Sequence, residues 1–364
     1  MKKLRARGVP WLIAAAGAAL LLAAVLFVRS RAAASTPYTA TFWDVFDTVV
    51  TVTGYAESET EWNAQMDALH ADFQKYNRLF DIYNAYDGVN NLYTVNAGAG
   101  KAPVAVDSAV MTLLSLGKEM YTVTNGKCNI AGGAVLSLWH DARTAGIASP
   151  ETAALPDEAA LKAAAAHCGI DDLVLDTNAG TVYLADPAMS VDVGSIAKGW
   201  STEAVAQAAQ ARGLTSALIN AGGNLRAIGA KPDGSAWIAG VENPWPDENG
   251  TYNLSQAVVR VYLQDGESLV VSGDYERYYT VDGVPYCHLI DPATLYPARY
   301  VNSVAVLCKD SGRADALSTG LFCTPVADGQ ALVGTLDGVE AMWLQTDRIT
   351  AESAGFAGHL VPEN

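Results

Sequence analysis

The chain has 364 residues, 50% of them hydrophobic and 17% charged, which excludes a disordered protein and supplies enough apolar chain for one large or two small domains. Its formal net charge is −16, and residues 1–34 hold six of the 23 basic residues and no acidic one, so the remainder sets 17 against 39, a net charge of −22. A body this acidic repels nucleic acid and anionic lipid headgroups, and no nucleic-acid partner is expected. Five scattered cysteines, Cys128, Cys168, Cys287, Cys308 and Cys323, lack the CxxC or CxxH spacing of a zinc site. Most are expected to be buried and apolar, although an oxidising compartment could pair two of them.

The N-terminal MKKLRARG is basic and precedes Val9 to Val28, an uncharged run of twenty residues. That length suits a bilayer span of ~20 residues and exceeds the ~7–15 of a signal-peptide core. Lys2, Lys3, Arg5 and Arg7 in front of it place the N-terminus in the cytoplasm and the bulk of the chain outside. The expected organisation is a basic tail, a single-pass membrane anchor and a short linker over residues 1–36, then one catalytic region over residues 37–364 on the extracytoplasmic side of the cell membrane. Arg31 to Ser35, RAAAS, keeps a cleaved signal open, and no cysteine follows the apolar run to mark a lipoprotein.

Thr39 to Ala56 is rich in β-branched and aromatic residues and reads as two short strands or one broken strand. Ser58 and Glu61 form a possible capping box for an amphipathic helix whose Trp62, Met66, Leu69, Phe73, Tyr76 and Phe80 recur at spacings of four and three. A second helix fits Asp107 to Thr124, stopped by Asn125-Gly126, and a third fits Asp157 to Cys168. A hairpin follows around Thr177 to Gly180, then a strand at Ser190 to Val193. After Gly194 come a helix over Ala197 to Arg212, a strand SALIN, a glycine turn and a strand LRAIG. Arg260 to Gln264 and Ser268 to Ser272 read as strands, and YYTVDGVPYCHLI as a hairpin turning at Asp282-Gly283. The last helix is expected to start near Asp315. Without internal repeats or a linker after residue 37, this is one mixed α/β (α+β) region containing two interlocked subdomains.

Three places could carry chemistry. Gly194-Ser195-Ile196-Ala197-Lys198-Gly199 lies between a strand and a helix, where free N–H groups and the helix dipole favour an anion. Trp200 stands where a P-loop needs lysine, so that reading fails, and a tight turn with close packing is the bland alternative. Asn220-Ala221-Gly222-Gly223-Asn224 is a second glycine turn that could face the same ligand. Asp315 and Thr319 stack on one helix face and offer hard oxygen ligands suited to Mg²⁺, though such a pair is also a common surface neighbour. His288, just before an Asp291-Pro292 turn, could act as a general base at neutral pH, where a lone strand histidine is otherwise structural. His70, His140, His167 and His359 receive no role.

In combination and order these blocks resemble the ApbE family of FAD:protein FMN transferases, over roughly residues 40–345. The resemblance rests on Asp192 to Gly199 (DVGSIAKG), Asn220 to Asn224 (NAGGN), Ser272 to Arg277 (SGDYER), His288 to Pro292 (HLIDP) and Ala314 to Thr319 (ADALST). It implies an ApbE-like fold and Mg²⁺-dependent transfer of FMN from FAD to a threonine hydroxyl of an acceptor protein, with AMP released. By matching position, His288 would accept the hydroxyl's proton, and Asp315, Thr319 and a backbone carbonyl near Ser195 would hold the metal. FAD would lie against Gly194, Ser195, Lys198, Asn220, Gly222, Gly223, Asp274, Tyr275 and His288, with Tyr83 as a looser aromatic match. The implied acceptor is a flavoprotein, such as a subunit of a membrane redox complex. Cys128-Asn129-Ile130-Ala131 departs from the family's Phe-Asp-Pro-Thr, Asn90 replaces a common serine, and the usual glycine after His-x-x-Asp-Pro is missing. A metal-dependent FAD pyrophosphatase and a non-catalytic FAD-binding protein remain the competing readings.

Overall fold

The computed structural model describes residues 37–248 and 250–362. The expected anchor, Val9 to Val28, lies outside the described residues, and among those described no helix is long and apolar enough to cross a membrane.

The frame is an eight-stranded sheet whose strands lie side by side in chain order, every neighbour antiparallel. They are β1 (Tyr38–Val45), β2 (Thr48–Gly54), β3 (Ala217–Ala221), β4 (Asn224–Ile228), β5 (Ser268–Gly273), β6 (Ser303–Cys308), β7 (Glu340–Leu344) and β8 (Thr350–Glu352). The stretch from Thr39 is thus two strands, turned through Phe46 and Asp47 at positive φ. Alternation sorts the sheet's faces. Val270, Val304, Val306 and Trp343 enter the core under the helices, whereas Leu269, Ala305, Leu307, Met342 and Leu344 meet the hairpin Trp237–Glu242/Ala257–Leu263 behind. Both faces are therefore covered, and β6 is buried along its whole length.

On the front face lie α1 (Glu59–Phe80), α2 (Ser108–Val123), α4 (Ala197–Ala211) and α5 (Ser311–Phe322), while α3 (Gly133–Ala148) packs against the hairpin Tyr278–Val281/Val284–Cys287. The Ser58 hydroxyl caps α1 by accepting from Glu61 N at 3.2 Å, and its stripe of Trp62, Met66, Leu69 and Phe73 packs on Val50, Val52 and Ile219. Asp107 caps α2 by accepting from Ala109 N, and Asn125 and Gly126 leave it at positive φ. Glu203 of α4 grips Arg226 of β4 bidentately at 2.7 and 2.9 Å and also accepts from Ser311 N, so one buried carboxylate ties α4, β4 and the start of α5 together. Burial pushes its pKa up, but the Arg226 guanidinium holds it below the ordinary value.

Two expectations need correcting, and one element is new. Ser190 to Val193 is not a strand, because the Asn96 side chain takes its backbone hydrogen bonds, accepting from Val191 N and donating to Val191 O. The last long helix begins at Ser311, capped by Asp310, and a further helix, Val326–Val333, follows it. Helix α3 was not anticipated. The five cysteines are all free, and all but the half-buried Cys168 are buried.

Candidate active site

The ends of β2, β3 and β5, the loop entering α4, the helices α3 and α5, and the hairpin Tyr278–Val281/Val284–Cys287 enclose one cavity of about 890 Å³. That volume admits a dinucleotide-sized ligand. Gly194, Ser195 and Lys198 from one glycine turn and Asn220, Gly222 and Gly223 from the other line it together, as do Tyr83, His288, Asp315 and Thr319. The second turn is held by its own side chain, Asn220 Oδ1 accepting from Gly223 N at 3.1 Å.

At the floor, Asp315 projects from α5 towards the first turn of α4, where its Oδ2 accepts from Gly199 N at 2.7 Å. Burial raises its pKa, opposed by Lys198, this N–H and the Asn224 amide. Among the described residues no cation lies within ion-pair distance of Asp315, and Asn224 Oδ1 beside it is buried with no hydrogen-bond partner. A carboxylate short of positive charge, an orphaned amide oxygen and the Thr319 hydroxyl one helical turn on make a hard-oxygen donor set that fits Mg²⁺ sharing ligands with a substrate. Among the described residues no cluster of three or more His, Cys, Asp or Glu forms a metal cage, so such an ion would need oxygens from substrate and water. The Cys128 thiol donates to Ser195 Oγ at 3.5 Å beneath this floor, and burial pushes its pKa to about 12, so it is an inert prop.

His288 sits half-buried between the strands ending at Cys287 and starting at Ile290. Its Nδ1 lies 3.3 Å from the Arg277 carbonyl, which can only accept, so Nδ1 carries the proton and Nε2 keeps its lone pair. Burial, followed by Arg277, Lys198 and Arg143, lowers its pKa to about 3. The imidazole is therefore neutral at physiological pH and able to take a proton. Asp291 of the same block does structural work, accepting from Lys127 Nζ at 2.7 Å and from Ala293 N at 2.9 Å.

Residues 46–343 match the model of the ApbE family. The chain belongs to that family. It is 35% identical over 279 residues to a protein of Treponema pallidum named FAD:protein FMN transferase, covering 73% of each chain, and 30% identical over 254 residues to a protein of that name from Vibrio cholerae, covering 69% of this chain and 72% of the other. The crystal structure of the ApbE protein of Thermotoga maritima superposes with a TM-score of 0.77 at 26% identity, over 90% of this chain and all of that one. The flavin transferase ApbE of Vibrio cholerae, at 24% identity and a TM-score of 0.73, shares the fold.

Within this ApbE fold, Asp274 and Tyr275 do not line the cavity. Asp274 turns away to accept from Asn302 Nδ2 at 2.9 Å, with burial raising its pKa to about 6, and Tyr275 is buried against Tyr252. Their neighbours Gly273, Glu276 and Arg277 form the wall instead. Nor do all the glycines admit a ligand. A Cβ on Gly199 would strike Ser311 O on α5, one on Gly222 would strike Thr48 and one on Gly194 would press on Asp192 Oδ1 at 3.1 Å, whereas Gly223 keeps open space towards the cavity. Sequence reading missed His140 and Arg143, three apart on α3. The His140 ring lies 5.3 Å from that of Tyr83, and its Nδ1 accepts from Arg143 Nη2 at 3.4 Å. It missed too an apolar lobe of Trp139, Tyr279 and Tyr286 in the same cavity, although aromatic residues at both ends of the YYTVDGVPY hairpin were a visible signal.

Proposed function

We propose that this chain transfers FMN from FAD to a threonine hydroxyl of an acceptor protein, forming a phosphoester and releasing AMP, with Mg²⁺ bound through Asp315, Thr319 and the backbone near Ser195. The observation that carries the reading is the meeting, in one cavity, of a cation-deficient carboxylate with a neutral histidine whose Nε2 is free. His288 Nε2 takes the proton of the incoming hydroxyl, and Lys198 lowers the charge of the diphosphate. Bound Mg²⁺ would supply electrostatic stabilisation of the phosphate oxygens at the Asp315 end. The glycine turns hold the dinucleotide against the sheet ends, and the aromatic lobe shields a planar ring from water.

The test is mass spectrometry of a threonine-bearing acceptor flavoprotein, a membrane redox subunit being the first choice, after incubation with FAD and Mg²⁺. An FMN adduct that EDTA prevents supports the proposal. FAD cleaved to FMN and AMP with the acceptor unmodified refutes it in favour of a pyrophosphatase, and bound but uncleaved FAD in favour of a binding protein.

The same reading treats residues 37–364 as one catalytic domain held outside the cytoplasm by Val9 to Val28. The basic residues ahead of the apolar run support that orientation. Full-length protein should stay with membranes through alkaline washing, with its body open to external protease. A soluble mature chain beginning near Ser35 would sink the anchor.

A further inference from the structure

Arg143 is a half-buried guanidinium in the cavity wall, and among the described residues no carboxylate lies within ion-pair distance of it. Among the described residues its guanidinium makes one hydrogen bond, the donation to His140 Nδ1, which leaves most of its donor fork unused. Arg277, facing it, is equally without a carboxylate and bonds only the Asp47 carbonyl, at 3.3 Å. Burial and the repulsion of Arg277 both disfavour the charged form of Arg143. Asp192 is the nearest compensating carboxylate, and it is itself buried and committed to Gly194 N at 2.8 Å. Arg143 is half-buried and Arg277 exposed at the cavity wall, and two like charges facing one cavity, neither in an ion pair among the described residues, are suited to share an anion.

We propose that Arg143 and Arg277 form an anion clamp for the flavin-side phosphate of FAD, the phosphate that the acceptor hydroxyl attacks. The assignment rests on the FMN-transfer reading. His288 must reach the acceptor hydroxyl whose oxygen forms its new bond to that phosphorus, and the cations that act on His288 are Arg277, Lys198 and Arg143. Lys198 faces Asp315, where the metal end lies, whereas Arg143 approaches from α3 beside the Tyr83–His140 ring pair and the Trp139 lobe. A guanidinium beside these aromatic rings matches a planar ring system carrying a phosphate. Arginine rather than lysine is the apt residue, since its fork meets two phosphate oxygens at once.

The experiment measures binding of FAD, FMN, AMP and riboflavin to wild-type protein, Arg143→Gln and Arg143→Lys, by flavin fluorescence or calorimetry, with melting temperatures alongside. Arg143→Gln should weaken FAD and FMN roughly ten- to a hundred-fold and leave riboflavin and AMP within about two-fold. Arg143→Lys should fall between, and the melting temperature should hold or rise, because repulsion is removed and no ion pair is lost. In turnover, added guanidinium ion should restore part of the Arg143→Gln transfer rate. Equal loss for riboflavin and FMN would make Arg143 a ring-packing residue, and a loss for AMP alone would put it on the other phosphate; either overturns the clamp. A lower melting temperature with unchanged FMN binding would show a structural role and also overturn it. Wild-type protein that binds no FAD would fail the function reading itself, which keeps the two failures apart.

Discussion

Replacing Asp315 by Asn and by Ala should separate stability from activity in opposite directions. The Gly199 N–H donates to Asp315 Oδ2 at 2.7 Å in a buried site. Alanine orphans that donor, at a cost of about 1–3 kcal/mol. At ~2–4 °C per kcal/mol in domains of ~150–250 residues, and less in a longer one, the melting temperature should drop by a few degrees. Asparagine keeps an oxygen in the same place and removes the charge. The folded-state pKa of Asp315 is raised, burial being the main cause, so the native state binds this proton more tightly than the unfolded chain does. The group therefore costs stability that is fully felt once pH has risen above its folded pKa, and the cost fades as pH falls back through that value. Asp315→Asn should accordingly melt at or above wild type at neutral pH, with the difference shrinking on acidification.

Activity should behave otherwise. Without the carboxylate the proposed Mg²⁺ loses its one charged protein ligand, and FMN transfer should fall at least ~10²-fold in both variants. Differential scanning fluorimetry with and without Mg²⁺ and FAD supplies a second readout. A ligand at a hundred times its Kd adds about 2.7 kcal/mol to the native state, a shift expected of wild type and absent from Asp315→Asn. Asp315→Asn that transfers FMN normally at limiting Mg²⁺ would refute the metal assignment. Asp315→Asn that melts below Asp315→Ala would refute the electrostatic reasoning.

With its pKa pushed down to about 3, His288 stays neutral from pH 5 to 8, and kcat/KM should show no limb centred near 6.5. His288→Ala should lower transfer by ~10²–10⁴ while keeping FAD binding, and an ionisation near 6.5 that vanishes in this variant would contradict the burial argument. Because the folded pKa lies below the unfolded one, His288 also costs stability as pH drops from about 6.5 towards 3, so His288→Gln should gain on wild type in urea titrations at pH 5. Arg226→Ala leaves Glu203 buried without its bidentate partner and should cost about 3–5 kcal/mol by urea denaturation. The double replacement of both residues by methionine should recover much of that loss, and equal losses in single and double variants would show that the pair matters only through packing.

Elements with their own boundary signals were legible in the sequence: α1 with Ser58 and its apolar stripe, α2 between Asp107 and Asn125-Gly126, and the hairpin with its Asp282-Gly283 turn. Helix α3 lacks a side-chain cap, and only four of its residues, Gly133, Val135, Trp139 and Gly146, are buried, because much of its surface faces the cavity. Val135, Leu138, Trp139 and Ala142 do recur at spacings of three and four, but no cap marks where the helix starts, and so His140 and Arg143 went unseen. The antiparallel order of the large sheet was illegible for another reason. Val52 pairs with Ile219 and Leu269 with Leu307, partners that only the closed fold brings together. Ser272 to Arg277 pointed to the site, but the chain turns at Gly273 so that Glu276 and Arg277, not Asp274 and Tyr275, reach the wall.

Charge is the last level at which sequence and structure diverge, and it has a measurable consequence. Residues 35–364 carry a net charge of −22, a poor match for an anionic dinucleotide. The cavity is far less acidic than the body: Lys127, Arg143, Lys198 and Arg277 line it beside Asp47, Asp192, Glu242, Glu276 and Asp315, and among the described residues only Lys127 of these cations is in a salt bridge. Salt separates the two scales. The long-range repulsion crosses solvent and is screened within ~8 Å at physiological ionic strength, whereas contacts in a half-closed cavity are screened much less. Raising salt from low to physiological strength should therefore speed FAD association while changing its dissociation little, the reverse of the usual steering effect. Stopped-flow flavin fluorescence reads both rates. An association rate that falls with salt would show that the cavity's cations, not the acidic body, set the field that an approaching ligand meets.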